Sequence, residues 1–111
     1  MTVAFTPGRI VLRAPNWLGD AVLAVPAMTA VRRRFVGAHL TIAALPSVAA
    51  IYRQSSDLAP DDVMDLPAGS PAAAAALRAG RFDLAIAFPN SFRSAWELRR
   101  AGIGERWGYR A

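Results

Sequence analysis

The sequence predicts an α/β domain in which helices flank a parallel sheet of about five strands. Two observations carry that prediction. Short apolar runs alternate with helix-like segments along the chain, the pattern left when crossover helices join parallel strands. The first of those runs, Ile10-Val11-Leu12, is followed by Ala14-Pro15-Asn16-Trp17-Leu18-Gly19-Asp20, a polar turn ending in a glycine and a carboxylate. In an open α/β sheet the carboxyl ends of strands face the ligand crevice, so this turn is the first place to look for chemistry.

Strand one is expected over Arg9–Arg13. The segment from Gly19 to Phe35 is apolar nearly all round and closes on Arg32-Arg33-Arg34 and Gly37, and its run Ala21–Val31 is expected to be a buried helix. Pro26 falls inside it; a proline lacks the N–H and clashes with the preceding turn. A short first turn from Asp20, then a helix with Pro26 near its start, fits better than one straight rod. His39–Ala44 reads as strand two, Pro46–Tyr52 as a short helix, and residues 62–66 as a weak third strand at an edge. Ser70 and Pro71 give an N-cap and a first helical position for the alanine-rich helix that Gly80 ends. Phe82–Phe88 is the fourth strand, a helix is expected over about Phe92–Ala101, and Arg106–Tyr109 is the fifth strand. The chain then stops without a capping helix, which is unusual for a finished α/β domain.

Composition narrows the chemistry. At 111 residues the chain is expected to be one domain, and 54% hydrophobic residues give it enough apolar surface to fold. It has no cysteine, which excludes a disulfide scaffold, a thiolate zinc site and a thiol nucleophile. His39 is the single histidine, so a histidine-based triad and a multi-histidine metal site are excluded too. A reducing cytoplasm is the expected location. No secretory signal opens the chain, and the apolar run Ala21–Val31 is shorter than the roughly 20 residues a membrane span needs. The net charge is +5, and all 13 basic residues are arginine. Arginine forks suit phosphate and carboxylate partners, while a compositional bias toward Arg and Ala explains the same total without function.

The nucleotide fingerprints are missing: no G-x-G-x-x-G follows strand one, and a P-loop would need a lysine the chain lacks. Asp20 has a structural reading, as an N-cap or first-turn acid, and a functional one, as a general base. In the second role it takes the proton of an attacking hydroxyl from about 2.6–3.2 Å away. Trp17 either stacks on a sugar ring or covers the sheet edge. Asn16 either bonds substrate or holds the turn through an Asx contact. The basic residues are scattered over the elements with no interleaved aromatics, so a nucleic-acid partner is not expected.

Three blocks in order carry a resemblance. The stretch Arg13-Ala14-Pro15-Asn16-Trp17-Leu18-Gly19-Asp20-Ala21-Val22, with Pro26-Ala27-Met28 after it, resembles the opening of the lipopolysaccharide heptosyltransferases. Ala87-Phe88-Pro89-Asn90-Ser91-Phe92-Arg93-Ser94-Ala95 is similar to the second signature of their heptosyltransferase II branch, and residues 101–109 are similar to its next segment. The resemblance implies a Rossmann-like domain, the amino-terminal, acceptor-binding half of a GT-B glycosyltransferase. It implies transfer of heptose from ADP-heptose to the inner core of lipopolysaccharide, with inversion, no metal and no cofactor beyond the donor substrate. The base of that family maps to Asp20; Asn16, Trp17 and Gly19 match the same turn, and Asn90, Ser91 and Arg93 match the second signature as substrate-binding residues. Arg93 is either an anion contact in the crevice or a solvated helix residue. Arg32-Arg33-Arg34 and Arg99-Arg100, at helix ends, read as structural, with weak attraction to the anionic inner membrane face as the alternative.

The resemblance also implies a carboxyl-terminal nucleotide-sugar domain holding most ADP contacts, and the 111 residues do not contain one. The chain is therefore expected to be a fragment, inactive alone, or a partner of another polypeptide. The rival expectation is a non-catalytic α/β domain that binds lipopolysaccharide core or a protein.

Overall fold

The computed structural model describes residues 6–54, 57–67, 69–88, 101–102 and 105–108. Four strands make the body of one parallel sheet: β1 (Arg9–Arg13), β2 (His39–Ala44), β3 (Asp62–Asp65) and β4 (Leu84–Ala87). A short fifth, β5 (Glu105–Gly108), adds in parallel beside β4, giving the order β3-β2-β1-β4-β5. The helices among the described residues are α1 (Leu18–Leu23), α2 (Val25–Arg34), α3 (Pro46–Arg53) and α4 (Ser70–Ala79). The helix expected over 92–101 lies outside the described residues.

Strands buried on both faces are largely apolar, as are Ile10–Leu12 of β1 and, apart from Thr41, Leu40–Ala44 of β2. Side chains alternate between the faces and so divide the core in two. Ile10, Leu12, Leu40, Ile42, Leu84 and Ile86 face one way, onto Ala21, Met28, Val48 and Tyr52 of α1, α2 and α3. Val11, Ala43 and Ala85 face the other way, onto Ala73 and Leu77 of α4. Of the alanine run in α4, Ala73 and Ala74 are buried, while Ala72 and Ala75 are exposed.

The short first turn and the following helix expected across Gly19–Phe35 are α1 and α2. The break falls at Ala24, and Pro26 is in the first turn of α2, where its missing N–H costs no helical bond. The burial expected of Ala21–Val31 holds only in part: Ala21, Met28 and Thr29 are buried, while Val22 and Leu23 are 52% and 77% exposed. At α4 the cap moves by one residue. Gly69, at φ 95°, is the N-cap, and Ser70 is already helical. A left-handed backbone at that point suits glycine and would strain a serine, which is why the cap slides. Gly80 ends the helix as expected.

Candidate functional site

The sheet order reverses direction between β1 and β4, because the chain first adds β2 and β3 on one side and then returns to add β4 on the other. In open α/β sheets the carboxyl ends of the strands on either side of such a reversal are the usual place for a ligand. Arg13 of β1 is in register with Ala87 of β4, and the Phe88 N–H donates to the Arg13 carbonyl at 3.0 Å. The turn of residues 14–20 thus leaves the sheet beside Phe88, and the residues that follow Phe88 lie outside the described ones.

Ala14 ends the strand pairing by donating its N–H to the Ala43 carbonyl at 2.9 Å. Ala14 and Pro15 are buried, and exposure begins at Asn16. Trp17 is extended, at φ −99° and ψ 139°, and starts α1 as its N-cap without a side-chain cap bond. Its indole is 77% exposed, as the turn reading expected. Gly19 is exposed, and a Cβ there would meet nothing, so close packing does not explain this glycine. Asp20 follows in the first turn of α1, exposed, its carboxylate without a hydrogen bond or ion pair to any described residue. It is not the N-cap. Asn90, Ser91 and Arg93 lie outside the described residues.

Two residues shape this turn that sequence reasoning passed over. Arg13 is 1% exposed, and its Nη1 donates to the Ala14 carbonyl at 2.7 Å. It is the one charged residue that is buried among the described residues. A signal for it was available: an arginine that directly extends an apolar, doubly buried strand has nowhere to go but inside. Tyr52 of α3 is fully buried, and its hydroxyl donates to the Ala21 carbonyl at 3.0 Å, fastening the centre of α1 to the helix behind it. Burial raises the Tyr52 pKa to about 12, so this donor keeps its proton. A depression lined by Arg53, Pro60, Asp61 and Val63 lies at the amino end of β3, away from the turn, and has no part in the crevice.

These features define an open α/β domain whose strand order reverses between β1 and β4, the fold of the amino-terminal part of a heptosyltransferase-like glycosyltransferase. Two solved structures carry that statement. The chain is similar to the ADP-heptose lipopolysaccharide heptosyltransferase II of E. coli, with a TM-score of 0.76 and 24% identity over 90% of this chain and 30% of that one. It is also similar to a glycosyl transferase family 9 protein of Veillonella parvula, with a TM-score of 0.72 and 15% identity over 92% of this chain and 32% of that one. The chain thus spans about a third of the length of each structure. No family model and no curated protein matches it. Among the described residues, no helix is long and apolar enough to cross a membrane.

Proposed function

We propose that this chain is the acceptor-binding domain of an inverting glycosyltransferase that moves heptose from ADP-heptose to the inner core of lipopolysaccharide. The observation that carries the reading is the Asp20 carboxylate: exposed, without a partner among the described residues, and in the turn that leaves β1 where the strand order reverses. A capping carboxylate would accept a backbone N–H; Asp20 accepts none from the described residues, which supports the reading that it is open to a ligand. In the proposed step Asp20 takes the proton of an acceptor hydroxyl as that oxygen bonds to the anomeric carbon of the donor. The bond from that carbon to the phosphate oxygen breaks, and ADP leaves with the electron pair. The sugar carbon inverts because attack and departure are on opposite faces, and a single base is sufficient. Asn16, Trp17, Gly19, Asn90, Ser91 and Arg93 are the proposed acceptor contacts.

The structural likeness supports the fold and the kind of reaction, and the order of motifs supports the substrates. The contacts to ADP are assigned to the two thirds of the similar structures that this chain does not span. By itself the chain is expected to bind acceptor without transferring heptose. The proposed setting is the cytoplasm, with contact at the inner face of the membrane that carries the acceptor.

The test is Asp20→Asn in the full-length protein, with heptose transfer followed from ADP-heptose to inner-core acceptor. A fall of about 100- to 10,000-fold in kcat is expected when a general base is removed. Turnover within a few-fold of the parent would leave a non-catalytic domain that binds lipopolysaccharide core or a protein as the better reading.

A further inference from the structure

The helix that carries Asp20 has little of its own to hold it. α1 is six residues, Leu18–Leu23, and a helix of under two turns does not persist in water without packing. Trp17 starts it without a side-chain cap bond, and of its residues Ala21 alone is buried, so one methyl group is its apolar seat. The firmer hold is polar. The hydroxyl of Tyr52, a residue with no exposure, donates to the Ala21 carbonyl at 3.0 Å. That carbonyl is among the last four of α1, which have no partner inside the helix, and the tyrosine supplies one. On the other side of the turn, the buried Arg13 guanidinium donates to the Ala14 carbonyl at 2.7 Å. Two buried side chains from different elements thus pin the backbone before and after residues 16–20, which are themselves half-buried or exposed.

A phenylalanine would fill the same space in the core; what the hydroxyl adds is a direction. A buried hydrogen bond contributes modest net stability but has a narrow range of distance and angle, so it fixes where the backbone of α1 lies. Ala21 directly follows Asp20, and neighbouring helical residues project about 100° apart. With Ala21 turned inward, the Asp20 side chain stands on an exposed flank of the same turn of helix. A reacting group has to be held within a fraction of an ångström, and the residues that lock its mount do that. We propose that Tyr52 is a positioning residue for the reaction assigned to this turn: by holding the Ala21 carbonyl it sets the place and angle of the Asp20 carboxylate before the acceptor hydroxyl. Tyr52 touches neither substrate nor reacting atoms. With its pKa raised to about 12 by burial, it keeps the proton it donates. This inference rests on the glycosyltransferase reading above.

The experiment is a double-mutant cycle in the full-length protein: the parent, Tyr52→Phe, Asp20→Asn and the two together. It measures kcat for heptose transfer to a core oligosaccharide, the KM values for acceptor and for ADP-heptose, and the urea midpoint, with activity read far below that midpoint. Misplacing a reacting group by about 1 Å costs about 100-fold, and the ring of Tyr52→Phe still fills its site, so a fall of about 10-fold in kcat is expected. Both KM values should stay within about two-fold of the parent, since binding groups are left in place. On the Asp20→Asn background, Tyr52→Phe is expected to change kcat by less than about two-fold, because the group it positions is gone. A tyrosine that only supports the core would cost the same factor on both backgrounds. Transfer by Tyr52→Phe at the parental rate overturns the inference and leaves the glycosyltransferase reading standing. So does a loss repeated in full on Asp20→Asn, or one accompanied by a rise in both KM values. Full transfer by Asp20→Asn overturns both.

Discussion

The turn after β1 and the amino end of the sheet handle their carboxylates differently. At the amino end, Asp83 accepts the N–H groups of Gly8 and Arg9, each at 2.9 Å, and so closes the start of β1 against the start of β4. Asp61, before β3, accepts the Leu40 N–H at 2.7 Å and the Arg32 guanidinium at 3.0 Å. Arg32 in turn donates to the carbonyls of Val36 and Ala38, each at 2.8 Å, sealing the turn after α2. At the carboxyl end, Asp20 accepts nothing from the described residues, and the Asn16 amide oxygen is orphaned. The contrast is local to the turn after β1, not general to the two ends: Asp65, at the carboxyl end of β3, is paired with Arg53 at 3.1 Å, and the amino end has a buried orphan of its own in His39 Nδ1. What sets Asp20 apart from Asp61, Asp65 and Asp83 is that it accepts nothing from the described residues at the edge where such sheets take their ligands.

The largest effect that could break the comparison is the loss of transfer activity expected of Asp20→Asn. The same variant sharpens it from the side of stability. An exposed acid without partners should change unfolding by no more than about 0.5 kcal/mol in urea titrations. Next is Arg13→Ala, which empties a fully buried site and frees the Ala14 carbonyl. A cost of about 3 kcal/mol is expected in the same titrations, in the range for truncating a large buried side chain. A cost near zero would mean that Arg13 does not hold the turn. Asp61→Ala should cost about 1 kcal/mol, since its side chain is partly exposed while the Leu40 N–H loses its acceptor.

The two smallest effects are changes with pH. The Leu40 N–H, then the Arg32 guanidinium, holds the Asp61 carboxyl below its ordinary value against a smaller penalty from burial. Its contribution is present above the unfolded value near pH 4 and is lost as pH falls through the folded one. Asp61→Asn should flatten acid unfolding over that range. Tyr52 has the opposite sign, because its folded pKa is raised to about 12. Its contribution is complete below about pH 10 and is lost as pH rises toward 12. Tyr52→Phe should lose this alkaline decline while lowering stability by about 1 kcal/mol at neutral pH. An unchanged alkaline decline would mean that the hydroxyl is not sheltered behind α1.

Much of this architecture was legible in the sequence. Arg9–Arg13 and His39–Ala44 form strands with the expected limits because their apolar runs end abruptly in polar or turn residues. Residues 62–66 lose Leu66, which folds back into the core under α4, and Phe82–Phe88 shortens to Leu84–Ala87. The placement of β3 at an edge was also readable, since its ends are aspartates. The failures are of one kind. Apolar character was taken to mean burial, yet Leu18, Val22 and Leu23 face outward on a helix whose inward contact is Ala21. A single short side chain is enough to seat α1, because Tyr52 anchors its backbone from beneath. The candidate site was legible as a turn; the roles of Arg13 and Tyr52 were not, because both act through backbone carbonyls that no motif records. Asn90, Ser91 and Arg93 remain assigned by resemblance.

The turn after β1 and the end of β4 are nearly 70 residues apart in sequence and become neighbours only through the pairing of β1 with β4. Closing so long a loop adds little to the thermodynamic cost of folding, which grows only with the logarithm of its length. It does delay the event, because distant pairings form slowly. During synthesis, then, the first three strands can assemble before β4 arrives beside β1. Any chain cut short before Leu84 would keep Asp20 but lack the strand next to its turn.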